Sequence, residues 1–167
     1  MTGTARYLIF ILTAGGVVFL DQLAKSAVMS RFSLHESLSV IPGFFDLTYV
    51  RNPGAAFGFL SQASPAFRSF FFFAVAVAAA LLIVYFIIRQ KDGNFFMTAS
   101  LSLIFGGAAG NLLDRIRFGE VVDFLDFYVG IYHWPAFNVA DSAISAGACL
   151  LLYEMFRRKE KPDAEKM

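Results

Sequence analysis

The chain has 167 residues, of which 57% are hydrophobic and only 16% are charged. A soluble domain carries about 25% charged residues, so this composition excludes an ordinary water-soluble fold and favours a lipid environment. The net charge of +1 gives no basis for a nucleic-acid-binding surface, and the single cysteine, Cys149, excludes an internal disulfide. We expect one polytopic membrane domain over 1–167.

Four segments are long and apolar enough to cross a bilayer, which takes roughly 20 helical residues. They run over about 7–29, 70–88, 95–113 and 134–153. A cleaved signal peptide is an alternative for the first, but Asp21 and Lys25 stand where such a peptide has apolar or small residues. The sequence therefore predicts an all-α membrane protein with four transmembrane helices.

Basic residues predict the orientation of the four spans. Arg6, the short turn with Arg89 and Lys91, and the tail at 157–159 all fall on one side. The positive-inside rule makes that side the cytoplasm, so we expect both termini there.

Two longer segments then lie on the outer side, at about 30–65 and 115–133. The first contains two short β-branched and aromatic runs separated by Pro42-Gly43. This pattern predicts a small extracytoplasmic β-containing segment, either a hairpin or a sheet. The second segment is rich in aromatic residues, which favour the headgroup layer, so we expect a loop on the membrane surface.

The polar residues of the spans gather at one depth. At ~1.5 Å per helical residue, Asp21 lies ~21 Å above the inner start of the first span, with Lys25 one turn higher. The third and fourth spans place four more at their outer edges: Asn111, Asp114, Asn138 and Asp141. We expect the inner half to hold little that is comparable. Since buried charges are costly, the pattern predicts one site near the outer interface.

A purely structural interpretation applies to some of these charges. Asp21 and Lys25 are four residues apart on one helical face and can neutralise each other. Asp114 beside Arg115 can be an ordinary end-of-helix charge. Asp141 differs, because no basic residue lies within five positions of it. It needs a partner from elsewhere in the fold.

The remaining side chains argue against most hydrolytic chemistries. Neither His35 nor His133 has the neighbours of a zinc site or a serine triad. A dyad of Ser142 with Lys25 is an alternative, although serines within spans more often serve helix packing. The small residues at 106–110 lie inside a span and let helices approach closely.

A pair of carboxylates is the catalytic group that the remaining side chains fit best. The partner expected for Asp141 is Asp123, which lies among apolar neighbours, and Asp126 stays open as a rival on spacing alone. One continuous helix would put Asp123 and Asp141 ~27 Å apart, so the chain must fold back, with a break at Trp134-Pro135. Two adjacent carboxylates share a proton, which makes one a general base and the other an acid.

Five blocks in chain order resemble bacterial lipoprotein signal peptidase, also called signal peptidase II. They are Asp21–Lys25, Arg51–Gly58, Gly110–Arg115, Val121–Phe124 and Phe137–Ser142. Each is weak alone, but five in order with four spans are specific and cover nearly the whole chain. The resemblance implies a membrane aspartic endopeptidase that removes the signal peptide from diacylglyceryl-modified prolipoproteins, cutting before the lipidated lipobox cysteine.

The resemblance also implies individual roles. Asp123 and Asp141 are the implied catalytic pair, in preference to Asp126. The implied substrate-binding or site-supporting residues are Asp21, Lys25, Asn52, Gly54, Asn111, Asp114, Arg115 and Asn138. No metal or organic cofactor is implied. The implied partners are a prolipoprotein with a lipidated cysteine, membrane lipid and a globomycin-type inhibitor.

The implied location is the bacterial inner membrane, with the active site near the periplasmic face, and we expect a monomer. Two other classes of function stay open. A channel or transporter would use the buried charges as an ion path across the whole bilayer. A structural assembly factor would use them to fix helix register.

Overall fold

The computed structural model of the chain describes residues 1–54, 60, 62–90 and 93–159. Within that part the helices are α1 (Gly3–Arg31), α2 (Pro65–Arg89), α3 (Phe95–Phe118) and α4 (Val139–Lys159). The strands are β1 (Ser37–Ile41), β2 (Phe45–Asn52), β3 (Val121–Val129) and β4 (Tyr132–His133). The predicted class, four long apolar helices with a small β segment, is confirmed. The end of the second sequence block, 55–58, and Lys91 lie outside the described residues.

The four helices are arranged for a lipid solvent. All four are long and apolar enough to cross a membrane. Their outward faces carry exposed large apolar side chains such as Phe19, Phe70 and Leu81. The buried face of α1, in contrast, contains Asp21 and Lys25. This inversion of the soluble pattern puts apolar groups against lipid and polar groups against each other.

The helices end where capping residues stop them, not where the apolar runs stop. α2 begins at Pro65, because the Ser64 side chain accepts a hydrogen bond from the N–H of Phe67 at 3.3 Å. α3 continues to Phe118 and stops at Gly119, whose φ of 77° is left-handed. α4 starts at Val139 and not at 134, since Phe137 pairs with Leu125 of β3 and Asn138 caps the helix.

Helix α3 is the centre of the bundle and packs against α1, α2 and α4. Small residues allow the close approach. A Cβ on Gly106 would lie 2.8 Å from the backbone oxygen of Ala14, and one on Gly107 would clash with the backbone oxygen of Ala140. The run of small residues in α3 therefore brings α1 and α4 against one helix.

The strands form one antiparallel sheet in the order β1-β2-β3-β4. β1 and β2 are the hairpin expected in the first outer segment. The second outer segment was expected to be a loop, but it continues α3 and then forms β3, which pairs along β2. The sequence does not predict this strand, because Val121 to Phe124 are all buried and polar and apolar residues do not alternate there.

A second polar cluster, called the inner cluster, lies at the end of the bundle that was expected to face the cytoplasm and to hold few polar residues. Glu154 on α4 is fully buried and accepts hydrogen bonds from Asn94 and from Arg157, whose Nε is 2.8 Å away. Gln90 donates to the backbone oxygen of Asn94 at 2.9 Å, and its own backbone oxygen accepts from Arg6. The cluster ties α1, the end of α2, the start of α3 and α4 together at this end.

Candidate active site

Asp123 lies on β3 with only 2% of its surface exposed. It is opposite Val50 on β2, so Asn52, two residues further along β2, is on the same face. Asn52 Nδ2 donates to Asp123 Oδ2 at 2.9 Å, and Asn138 Nδ2 donates to Oδ1 at 2.7 Å. Each carboxylate oxygen therefore has its own amide donor.

Burial raises the pKa of Asp123 to about 7. Hydrogen bonds from Asn52 and Asn138 and the charge of Lys25 lower this pKa, whereas the nearby Asp141 carboxylate raises it. Desolvation outweighs the donors, so Asp123 changes its protonation state near neutral pH. That is the range in which a general acid or base works best.

Asp141 occupies the first turn of α4. Asn138 is the N-cap of that helix, because its Oδ1 accepts the N–H of Asp141 at 2.9 Å. The carboxylate Oδ1 of Asp141 accepts from Asn111 Nδ2 on α3 at 2.7 Å. The cap and the neighbouring helix thus fix both the backbone and the side chain of Asp141.

The segment between β4 and α4 folds back along β3. The backbone oxygen of Phe137 accepts from the N–H groups of Phe124 at 3.0 Å and Leu125 at 2.8 Å. The N–H of Phe137 donates to the Leu125 oxygen at 3.1 Å. This pairing ties the start of α4 to β3, and it follows the break expected at Pro135.

Asp123 and Asp141 line one cavity of about 480 Å³. The rest of its lining is Asn52, Gly54, Asn111, Arg115, Val121, Trp134, Pro135, Ala136, Phe137, Ser142, Ile144 and Ser145. A cavity of this size, with a few polar groups in a largely apolar wall, is typical of a ligand site.

Two asparagines connect the carboxylates. Asn138, which donates to Asp123, also lies 3.1 Å from Asn111 Oδ1, and Asn111 donates to Asp141. Neutral amides supply hydrogen bonds without cancelling charge. A chain of two neutral amides thus connects the two carboxylates.

Arg115 closes one side of the cavity. Its Nη2 donates to the backbone oxygen of Gly54 at 3.0 Å, and its guanidinium lies 4.6 Å from the centroid of the Phe72 ring. The N–H of Gly54 donates to Asn52 Oδ1 at 3.0 Å. Within the described part of the chain, the buried Nε of Arg115 has no hydrogen-bond partner.

Asp21, Lys25 and Asp114 form a buried ion cluster beside the cavity and do not line it. Lys25 Nζ lies 2.8 Å from Asp21 Oδ2 and 2.8 Å from Asp114 Oδ2. Gln22 Nε2 donates to Asp114 Oδ1 at 2.9 Å. Sequence analysis assigned no role to Gln22, although a polar residue between Asp21 and Lys25 in a span was the available signal. In the described ranges, no three His, Cys or acidic side chains are grouped to hold a metal ion.

Two alternatives were left open by the sequence, Asp126 as the partner of Asp141 and a dyad of Ser142 with Lys25. Asp126 is opposite Asp46 in the β2–β3 pair, and its carboxylate contacts His133 Nδ1 at 3.0 Å, away from the cavity lining. The Ser142 hydroxyl donates to a backbone oxygen one turn back, at 2.9 Å, while Lys25 is engaged in the ion cluster. The Ser/Lys dyad is therefore not assembled.

Comparisons with known proteins point to one family. A family model described as signal peptidase (SPase) II matches residues 13–157. The lipoprotein signal peptidase of Syntrophus aciditrophicus (strain SB) is 53% identical over 154 residues, which cover 92% of this chain and 96% of that protein. The lipoprotein signal peptidase of Desulforapulum autotrophicum is 50% identical over 143 residues, or 86% and 88% of the two chains.

Solved structures are also similar. A bacterial membrane enzyme determined by the in meso method superposes with a TM-score of 0.84 at 36% identity, covering 95% of this chain and 93% of that one. A second structure of the same description has a TM-score of 0.78 at 36% identity, covering 87% and 91%. The fold is thus similar to that of a solved bacterial membrane enzyme.

Proposed function

The chain belongs to the signal peptidase II family of aspartic peptidases, and we propose that it removes the signal peptide from diacylglyceryl-modified prolipoproteins, cutting before the lipidated cysteine. It is a multi-pass bacterial membrane protein. The observation that carries the proposal is that two carboxylates from different elements, Asp123 and Asp141, line one cavity near the end of the bundle.

In the proposed reaction the two carboxylates share one proton, because adjacent like charges do not both ionise. Ionised Asp141 takes a proton from water as the water oxygen attacks the scissile carbonyl carbon. Asp123 gives its proton to the carbonyl oxygen, and a gem-diol forms. The C–N bond then breaks, a proton passes to the leaving amine of the cysteine, and the signal peptide departs with a new carboxyl group.

Asp123 is the proton-holding partner in this scheme. Its burial raises its pKa to about 7, so near neutral pH the acid form is well populated. The same environment gives it two amide donors, from Asn52 and Asn138, which stabilise the carboxylate left after the proton is donated. Both forms are therefore accessible in one catalytic cycle.

The cavity wall supports a substrate that is part peptide and part lipid. Arg115 lines the cavity, and its guanidinium suits a substrate carbonyl or a lipid headgroup. Asn52 and Gly54 also line the cavity, where a side-chain amide and backbone groups can form hydrogen bonds with a peptide. The apolar wall, which includes Trp134 and Ile144, suits a lipidated side chain and a globomycin-type cyclic peptide.

The arrangement favours a periplasmic site and a working monomer. Arg6 and Arg89 lie at the helix ends far from the cavity, so the positive-inside rule puts both termini in the cytoplasm. The cavity is lined by residues of one chain, so no second copy is needed to complete it.

The test is cleavage of a diacylglyceryl-modified prolipoprotein by the purified protein in detergent or vesicles. Asp123→Asn and Asp141→Asn each remove one proton-exchanging carboxyl group with little change in shape. We expect each to lower kcat by at least ~10³-fold, as loss of an essential acid or base does, while the protein still folds and inserts.

Asp126→Asn is the matched control, because it removes a carboxylate from the same strand that does not line the cavity. It should cleave at close to the parent rate. Normal turnover by either Asp123→Asn or Asp141→Asn would overturn the proposed chemistry.

A further inference from the structure

The two carboxylates of the ion cluster each bind a backbone N–H next to a proposed catalytic residue. Asp114 Oδ2 accepts the N–H of Val122 at 3.1 Å, and Val122 directly precedes Asp123. Asp21 Oδ1 accepts the N–H of Ala140 at 2.9 Å, and Ala140 directly precedes Asp141. β3 and α4 are thus each attached to the cluster one residue before the carboxylate that they carry.

Lys25 joins these two attachments. Its ammonium group has three N–H donors and three buried acceptors: Asp21 Oδ2 at 2.8 Å, Asp114 Oδ2 at 2.8 Å and Asn111 Oδ1 at 3.0 Å. Asn111 in turn donates to the carboxylate of Asp141. One nitrogen atom therefore fixes the attachment of β3, the attachment of α4 and an amide on the active-site side.

We propose that Lys25 is a positioning residue that sets the separation of Asp123 and Asp141 through Asp21 and Asp114. The inference rests on the proposed function. A buried ion pair gives little net stability compared with apolar packing, so stability alone does not account for three fully buried charges. Their value lies in specifying one geometry, because breaking any contact leaves a charge unpaired in a low dielectric.

Gly110 on α3 offers a way to disturb the cluster without changing its charge. A Cβ at this position would lie 2.7 Å from Asp21 Oδ2, so the Asp21 carboxylate would have to move away from Lys25. The nearest atom is the end of a side chain and not backbone, so a movement of that side chain is enough to make room for the methyl group.

Gly106, one turn earlier on α3, is the matched control. A Cβ there would meet the Ala14 oxygen and Val17 Cβ at 2.8 Å, so it would contact α1 but no side chain of the cluster. Gly106→Ala and Gly110→Ala therefore add the same methyl group to the same helix interface. They differ in whether the carboxylate that holds Ala140 is displaced.

The experiment measures kcat and KM for the diacylglyceryl-modified prolipoprotein between pH 5 and 9, per folded molecule, for Gly110→Ala, Lys25→Met and Gly106→Ala. A misplaced catalytic group costs up to ~10²-fold in rate for ~1 Å, so we expect Gly110→Ala to lower kcat by ~10-fold or more with KM within about twofold. Lys25→Met should do the same or fail to fold, and Gly110→Ala keeps the test decisive in that case.

The pH profile separates positioning from general weakening. Wider separation of the pair weakens its coupling, so the acid and alkaline limbs of the kcat profile should move closer together in Gly110→Ala. The charged groups around the pair are Asp21 and Lys25 on α1 and Asp114 and Arg115 on α3. Gly110→Ala changes none of them chemically, so a narrower profile reports geometry.

Gly106→Ala should keep its kcat per folded molecule and the width of its profile. If Gly110→Ala also keeps both, the cluster is structural only and the inference is wrong. Asp123→Asn and Asp141→Asn are assayed alongside. Activity in those variants would defeat the proposed function, whereas their inactivity with an unaltered Gly110→Ala would defeat the positioning role alone.

Discussion

Among the described residues, the side-chain hydrogen bonds to the acidic pair come from asparagine and not from arginine or lysine. Asn52, Asn138 and Asn111 each donate one hydrogen bond to a carboxylate oxygen. A directly bound cation would favour ionisation strongly, by 1–3 pKa units for a carboxylate. Amides favour it less, so burial still dominates at Asp123 and the proton can be held or released near neutral pH.

Removing the Asn52 amide should move the alkaline limb of the activity profile. The hydrogen bond from Asn52 lowers the pKa of Asp123, so Asn52→Ala should raise it, by up to about one unit. Asp123 then keeps its proton to higher pH, and the alkaline limb of kcat/KM shifts upward. The measurement is kcat/KM from pH 5 to 9.

Thr48→Ala is the control for this shift. Thr48 is buried on the same strand and bonds to Ser37 and the Glu36 backbone, away from the cavity. Its profile should keep the parent limbs. An alkaline limb that stays in place or moves downward in Asn52→Ala would contradict the role of the amide.

Individual residues also mark the limit of sequence reasoning. Asp123 and Asp126 are three positions apart, and spacing alone left both open as partners of Asp141. The resemblance to a family favoured Asp123, and the fold gives the two carboxylates different surroundings. β3 points Asp123 at Asn52 and into the cavity, whereas Asp126 contacts His133 at the far end of the strand. Side-chain direction depends on a strand that the sequence did not reveal.

At the scale of elements, the helices were predictable because lipid demands long apolar runs. The β1–β2 hairpin was predictable from its turn residues. β3 was not, since its buried start lacks alternation and its partner β2 comes from a separate outer segment. The inner cluster around Glu154 was missed because its partners include the uncharged residues Asn94 and Gln90, which carry little signal near a helix end.

The close packing of α3 against α4 leaves little room for a side chain at Gly147. A Cβ there would lie 2.8 Å from Ile104 Cγ1 and 2.8 Å from the Ser100 oxygen. Gly147→Ala should therefore destabilise the protein by ~1–3 kcal/mol, the usual cost of overpacking. The measurement is the thermal unfolding midpoint in detergent.

Gly15→Ala is the opposite case on α1, because nothing lies within 4 Å of the added Cβ. Alanine is the better helix former by up to about 1 kcal/mol, so this variant should be as stable as the parent or more so. Equal midpoints for the two variants would show that the α3–α4 contact is not tight at Gly147.

At the scale of the whole molecule, polar side chains form a cluster at each end of an otherwise apolar bundle. The outer one holds Lys25 and the proposed catalytic pair, and the inner one holds Glu154 and Arg6. The apolar surface between them is the part that lipid must cover. The line that joins the two polar clusters is thus the long axis of the bundle.

This axis predicts which end faces the periplasm. Ile131, 85% exposed in the β3–β4 turn, and Gly3, exposed at the start of α1, lie at opposite ends. In a Cys149→Ala background, a membrane-impermeant maleimide should label Ile131→Cys in intact spheroplasts. It should label Gly3→Cys only after permeabilisation. The reverse pattern would invert the proposed topology.

The bond from Asp21 to the N–H of Ala140 links the first helix to the last. A ribosome makes Asp21 early and Ala140 near the end of synthesis. The proposed catalytic pair, Asp123 and Asp141, therefore cannot take its final arrangement until the last helix has been made. We therefore expect a nascent chain to lack hydrolase activity until that point.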